Sequence, residues 1–405
     1  MSNCRSCGSS NVTTFLSLGT LPLADGLRRK EELATTESRY PLDVAFCETC
    51  SLVQILETVP PEELFCRDYP YYSSFSDTLL EHSRQNVESL IATRGLHEKS
   101  LVVELASNDG YLLQYFVERN IPVLGIDPAE GPARAAVEKG IPTLCSFFTR
   151  EFAERLTSEG AHADVVIGNN VLAHVADLNG FVAGIGTILR EDGVAVLEMP
   201  YVKDLIDHCE FDTIYHEHLC YFSVTALDKL FSRHGLSLNR VEHYPIHGGS
   251  LRIFVGKRKD VDETVTQYLA RESAESVDRL DYFQDFASRV ESIKKTLHQM
   301  LCDLRSRGHR VAGYGAAAKG AVLLNYARIG TDLLDFVVDR NVHKQGLFMP
   351  GVQIPIAGPA KLLEEKPDYV LLLAWNFKDE ILRQQQAYRD LGGRFVVPIP
   401  QPEIV

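Results

Sequence analysis

The sequence predicts an α/β protein, with a small N-terminal Cys4 zinc module followed by two doubly wound units. Three observations predict it. Two C-x-x-C pairs, Cys4/Cys7 and Cys47/Cys50, stand near the N-terminus. Between residues 100 and 257, short apolar runs alternate with helix-length segments, the pattern of parallel strands joined by crossover helices. The alternation restarts at residue 309, after a charged stretch free of proline and glycine from 258 to 307.

Residues 1–75 are rich in turns. The knuckles "CRSCGSS" and "CETCSL" have the spacing for a tetrahedral Cys4 zinc, and four thiolates leave no open position, so the metal is expected to be structural. Two unrelated thiol pairs are the plain alternative. Residues 77–95 carry Leu79, Leu80, Val87 and Leu90 at helical spacing. In the unit 76–257, "SLVVELA", "VLGID", "ADVVIGNN" and "GVAVLEMP" read as buried strands. "GYLLQYFVERN" reads as a helix directly after the first, with further helices near 131–139, 149–158 and 178–190. "LSLNRVEHYP" and "SLRIFVGKR" are close enough to pair antiparallel at a sheet edge. Residues 258–308 keep one apolar stripe (Val277, Leu280, Phe283, Phe286, Val290, Ile293, Leu297, Leu301), which predicts one or two long connector helices. In 309–405, "RVAGYGAAAKG" reads as strand, glycine turn and helix. "LDFVVDR", "YVLLLAW" and "RFVVPIP" are its further strands, with helices near 359–365 and 379–391.

The 405 residues are 45% hydrophobic with a formal net charge of -14. Such a surface repels phosphate backbones, so no nucleic-acid partner is expected. No apolar run approaches the roughly 20 residues of a membrane span, and "MSNCRSCGSS" lacks a signal-peptide core, so the expected location is the cytoplasm.

The first glycine turn, Glu104 to Gly110 in "ELASNDG", departs from a dinucleotide fingerprint. It has one glycine, and Glu104 and Asp109 would repel a pyrophosphate. Those acids suit a cationic ligand with an ammonium group, such as S-adenosylmethionine. Asp127 ends the second strand where an acid commonly accepts ribose hydroxyls, and Asn169, Asn170 and His174 follow a later strand at the carboxyl edge of the sheet. Helix capping is the alternative role for Asp127 and Asn170.

The order of the double C-x-x-C, "LPLA", "YPYYSSFS", "ELASNDG", "NNVLAHV", "YHEHLCYFS", "HGGSLRIFV" and "GYGAAAKG" resembles the sugar C-methyltransferases that act at C3 of nucleotide-linked 4-keto-6-deoxysugars, over essentially the whole chain. The resemblance implies a zinc module, a Rossmann-like class I methyltransferase domain and a C-terminal Rossmann-like domain that closes over a nucleotide sugar. It implies S-adenosylmethionine held around Glu104, Ala106, Asn108, Gly110, Asp127 and Asn170, and a dTDP-linked 4-keto substrate. "YHEH" is not a zincin motif, because its histidines stand two residues apart rather than one helical turn. Proton abstraction suits it better: a neighbouring ketone makes a C–H acidic enough for histidine, and the enolate needs donors. By the resemblance His218 is the base, Tyr215 and Glu217 support it, His174 faces the sugar, and Tyr69 or Tyr72 reaches the pocket. His216 is expected to bond locally on the other side. Tyr221, as readily a core residue, is placed with the substrate.

The small residues, helix start and Lys319 of the second glycine turn favour an anion, and the resemblance implies that Gly315, Ala318 and Lys319 lie by the substrate pyrophosphate. Asp339 at the next strand end leaves an NAD site as the competing reading. "HGGS" and "WNFKDE" are loops that could also line the pocket. Methylation of oxygen or nitrogen on another metabolite, a zinc-stapled scaffold and an oxidoreductase are the rival functions. A monomer or homodimer is expected.

Overall fold

The computed structural model describes residues 3–60, 63–64 and 72–405. Tyr69 lies outside them.

Three antiparallel strands, β1 (Val12–Pro22), β2 (Arg39–Cys47) and β3 (Val53–Ile55), build the N-terminal sheet. Cys47 closes β2, and Ser51 in the left-handed region (φ 66°) turns the chain into β3, bringing Cys50 back beside it.

The central sheet has β4 (Val102–Leu105), β5 (Val123–Asp127), β6 (Thr143–Cys145), β7 (Ala163–Asn169), β8 (Leu189–Pro200), β10 (Ser237–Tyr244) and β11 (Ser250–Gly256). Their order is β10-β11-β8-β7-β4-β5-β6. β4 to β8 run parallel, and β11 is reversed between β8 and β10. The expected hairpin therefore forms at the sheet edge, with its second strand on the inside. Alternate residues of each strand feed opposite cores. Val103, Leu105 and Val166 face one; Val102, Val165 and Ile167 face the other, beneath the helix Asp77–Arg94.

The long helix expected from "GYLLQYFVERN" is not found. Only Gln114–Val117 is α-helical, flanked by turns. Tyr111, Leu112, Leu113 and Phe116 are all buried, while Val117 to Asn120 are exposed, so the apolar residues crowd the start of the stretch rather than forming one stripe along a helix. That start dives into the core as tight turns instead.

A short strand, β9 (Cys220–Tyr221), leaves the central unit and pairs antiparallel with β3, so the N-terminal sheet has the order β1-β2-β3-β9. The stripe after residue 258 forms the helices Glu263–Ala274 and Phe286–Ser306. Phe283 lies 5.0 Å from both Phe15 and Phe46, which fastens this stretch to the N-terminal sheet. The C-terminal sheet has β12 (Val311–Tyr314), β13 (Val337–Val338), β14 (Ile356–Ala357), β15 (Tyr369–Leu372), β16 (Arg394–Val397) and β17 (Glu403–Ile404), in the order β14-β13-β12-β15-β16-β17. It is parallel apart from β17.

Candidate active site

The turn after β4 is held in an unusual shape. Ala106, Asn108 and Gly110 all have positive φ (57°, 49° and 77°). Asp127 fixes this shape from the end of β5: its Oδ2 accepts the Asn108 N–H and its Oδ1 the Ala129 N–H, both at 2.8 Å. Burial raises the Asp127 carboxyl above its ordinary range, and these backbone bonds oppose the rise. Asn170 (φ 53°) donates its N–H to the Glu198 carbonyl at 2.7 Å, which sets the chain direction after β7.

Glu104 is fully buried, and its carboxyl lies well above the usual range, first from burial and then from Asp127 and Asp109. Among the described residues, neither Glu104 oxygen has a hydrogen-bond partner, and the same holds for Ser107 Oγ, Asp109 Oδ1 and Asn169 Oδ1. Orphaned buried acceptors are costly unless a ligand supplies donors. Their cluster on the acidic edge fits the ammonium and sulfonium of S-adenosylmethionine, which these residues would hold. Ser73 and Ser74 brace the turn from outside: the Ser73 N–H donates to Asn108 Oδ1 at 2.9 Å, and the Ser74 hydroxyl bonds the Asp109 carboxylate. Lys139 pairs with Asp109 at 2.9 Å. Tyr72 lies over Gly131 at the start of the helix Glu130–Glu138, where an added methyl would sit 2.9 Å from its hydroxyl.

The "YHEH" segment forms a loop between the 3₁₀ turn Phe211–Thr213 and β9. His218 Nδ1 meets the Thr213 carbonyl at 2.9 Å. A carbonyl only accepts, so Nδ1 carries the proton and the lone pair is on Nε2. The Tyr215 ring lies 4.0 Å from the His218 ring, His174 stands edge-on at 4.7 Å, and Tyr221 at 6.2 Å. Burial pushes His174 down to about 4, against a hydrogen bond to the Glu217 backbone, so its ring is neutral near pH 7. Tyr221 is buried and belongs to β9. His216 bonds the Tyr40 and Pro41 carbonyls, each at 3.2 Å. Its partners are thus in the N-terminal sheet, not local as expected, because the loop lies against β2.

Glu217 is buried. Its carboxyl is held well above its usual range by burial, then by Asp25, with Lys344 opposing. Lys344 donates to the Ala316 carbonyl at 2.8 Å, so the second glycine turn adjoins the same region. Gly315 is required there: its φ is 94°, and an added methyl would lie 2.7 Å from the Ala374 side chain. Asp339 accepts the Ala316 and Asn341 N–H groups at 2.7 Å each, repeating the device of Asp127 in the first unit. Ala318 opens the helix Ala318–Tyr326. Lys319, next to it, donates to Asn376 Oδ1 at 2.6 Å and lies 4.6 Å over the Trp375 ring.

Sequence reasoning gave no role to Asp25, Ser73, Ser74, Asp212 or Lys344. Nothing local in the sequence marks a carboxylate or serine whose partner is remote.

The sulfurs of Cys4, Cys7, Cys47 and Cys50 all lie within 4.8 Å of one another, with Cys4–Cys50 at 3.5 Å and Cys7–Cys47 at 3.6 Å. Ligands about 2.3 Å from a tetrahedral zinc would be about 3.8 Å apart, so this donor set fits the ion.

A family model described as "C-methyltransferase C-terminal domain" matches residues 245–400; a zinc binding domain model matches 4–65 and a methyltransferase domain model 79–241. The C-methyltransferase NovU of Streptomyces niveus is 35% identical over 405 residues, covering 99% of this chain and 96% of that one. The chain belongs to the C-methyltransferase family. This C-methyltransferase also matches the ubiquinone biosynthesis O-methyltransferase of Azorhizobium caulinodans, at 26% identity over 30% of its own length and 47% of the relative's. Among solved structures, the magnesium protoporphyrin IX methyltransferase of Synechocystis PCC 6803 with bound SAH aligns with 44% of this chain and 83% of its own, at a TM-score of 0.36 and 16% identity. The PH0226 protein of Pyrococcus horikoshii OT3 aligns at 0.39 and 15%, over 47% and 97%. No helix of the C-methyltransferase among the described residues is long and apolar enough to cross a membrane.

Proposed function

We propose that this S-adenosylmethionine-dependent C-methyltransferase deprotonates C3 of a nucleotide-linked 4-keto-6-deoxysugar, dTDP-linked in the first instance, and methylates the resulting enolate carbon. The observation that carries this reading is the orientation of His218, whose Nδ1 bonds the Thr213 carbonyl and so leaves Nε2 as the nitrogen that would act as the base. Carbon is a weak nucleophile, and the ketone next to C3 makes that proton removable by imidazole. Tyr215 and neutral His174, packed on His218, supply hydrogen bonds of the kind an enolate oxygen needs. Glu217 supports the loop beside them. The ligand S-adenosylmethionine supplies the methyl group, held by the Glu104–Gly110 turn, Asp127 and Asn170. Tyr72, over Gly131, belongs to the cofactor side, and Tyr69 is the residue to test on the sugar side. Tyr221, Gly315, Ala318 and Lys319 are assigned to the sugar nucleotide. In this reading the four parts of the chain divide at 75, 257 and 308, zinc is structural, and the enzyme works in the cytoplasm as a monomer or homodimer.

The test is incubation with S-adenosylmethionine and a panel of 4-keto sugar nucleotides in deuterated water. The expected result is a mass gain of one methyl on carbon, with C3 deuteration in the absence of the methyl donor. His218→Asn is expected to lower both by about 10²-fold or more. A product methylated on oxygen or nitrogen, or full activity in His218→Asn, would overturn the reading.

A further inference from the structure

Resting on His218 as the base, we propose that Trp375 and Asp212 are positioning residues through which the C-terminal domain orients that base. The 3₁₀ turn Phe211–Thr213 connects them, and each of its residues has a different partner. Phe211, fully buried, packs its ring 5.5 Å from Tyr326 on the helix Ala318–Tyr326. Asp212, also fully buried, accepts the Trp375 indole N–H at 2.7 Å. Thr213 offers its carbonyl to His218 Nδ1 at 2.9 Å. Two residues of the turn are therefore gripped by the C-terminal domain, and the third grips the base.

Burial raises the Asp212 carboxyl, and Lys319, the Trp375 indole and the Asp212 and Thr213 backbone N–H groups oppose the rise. Its second oxygen, Oδ1, has no hydrogen-bond partner among the described residues. The indole N–H is the side-chain donor placed on Oδ2, at 2.7 Å, and it sets the carboxylate's direction toward the C-terminal domain. Lys319 sits 4.6 Å over the indole ring, itself held by Asn376. A cation on the ring face draws π density and strengthens the N–H as a donor. Without the indole bond the buried carboxylate would reorient, and the peptide leading into Thr213 would turn with it. The carbonyl that selects the His218 tautomer would then be misdirected. The base is oriented only while the C-terminal domain sits on the turn.

The test uses the full-length chain with Trp375→Phe, which keeps the ring over which Lys319 lies and removes only the donor. Rates of C3 deuterium exchange and of methyl transfer are expected to fall together by at least about tenfold, as for a reacting group displaced by a fraction of an ångström. The sugar-nucleotide KM and the S-adenosylmethionine Kd are expected to change by less than about twofold, since neither ligand loses a contact. Asp212→Asn retains an acceptor for the indole and is expected to stay within about threefold of the parent rate. Should Trp375→Phe fail to fold, Tyr326→Leu loosens the same turn through Phe211 and is expected to give the same rate-only loss. Unchanged exchange in Trp375→Phe or Tyr326→Leu, or a change confined to KM, overturns the proposal. His218→Asn in the same assay separates the two ideas. Retained exchange there removes the base assignment; lost exchange there, with normal exchange in Trp375→Phe, removes only the clamp.

Discussion

Glu210, just before the base-bearing turn, is 5% exposed, and its carboxyl is pushed up to about 8. Burial is the main cause; Lys319 opposes it, while Asp212 and Asp204 add to it. His208 stands 3.4 Å away. The folded state thus keeps a proton that the unfolded chain releases near 4.5. The associated stabilisation is complete below 4.5, declines as pH rises and is gone above about 8. Glu210→Gln is expected to flatten the fall of Tm across that window, as thermal melts at several pH values would show. A parallel pH dependence in both proteins would contradict this. Single residues were unevenly legible in the sequence. The four cysteines announce themselves by spacing, and Glu104 and Asp127 by their places at strand ends. Asp212 stands in the stretch "DTIYHEH" without any mark, because its role comes from an indole 163 residues further on. Asp25 is equally silent, since only the fold brings it near Glu217.

At the scale of elements, the helix Val224–Arg233 depends on a group outside itself. Its first N–H groups, on Val224 and Thr225, donate to the Glu272 carboxylate at 2.7 and 2.8 Å, and the Thr225 and Tyr201 hydroxyls donate to it at 2.6 and 2.8 Å. Glu272 is wholly buried on the connector helix Glu263–Ala274. It is a remote N-cap whose negative charge suits the helix start. Glu272→Ala is expected to destabilise the chain by about 3 kcal/mol in urea unfolding, through several orphaned donors, and Glu272→Gln by about 1 kcal/mol. Strands such as β4, with the run "VVEL", were legible because burial on both faces imposes a continuous apolar stretch. β14, β17 and β9 were not: each has two residues, and pairing with another strand is what makes them strands. The turn-rich path of "GYLLQYFVERN" escaped because its apolar residues mimic helix periodicity, while Tyr111, Leu112 and Leu113 in succession all turn inward.

Across the whole molecule, the cysteine cluster and the histidine loop are mechanically joined. Cys47 ends β2 and Cys50 precedes β3; β3 then pairs with β9, one residue beyond Leu219 and two beyond His218. Cys4→Ser or Cys50→Ser is expected to lower bound zinc, measured by elemental analysis, and to lower methyl transfer by about tenfold or more, while S-adenosylmethionine affinity stays within about threefold. Equal loss of cofactor affinity would show that the cluster supports the central sheet instead. The two stretches of alternating strand and helix were legible in the apolar pattern, but the pairing of β9 with β3 was not, since a two-residue strand leaves no periodicity.

That exchanged strand has a consequence for recombination among relatives. A chimera joined at the apparent seam near residue 75 would match a foreign β3 to a native Cys220–Tyr221, and the mismatch would surface at the histidine loop rather than at the join. Transplants of the first 75 residues should therefore travel with residues 211–223 as a second cassette.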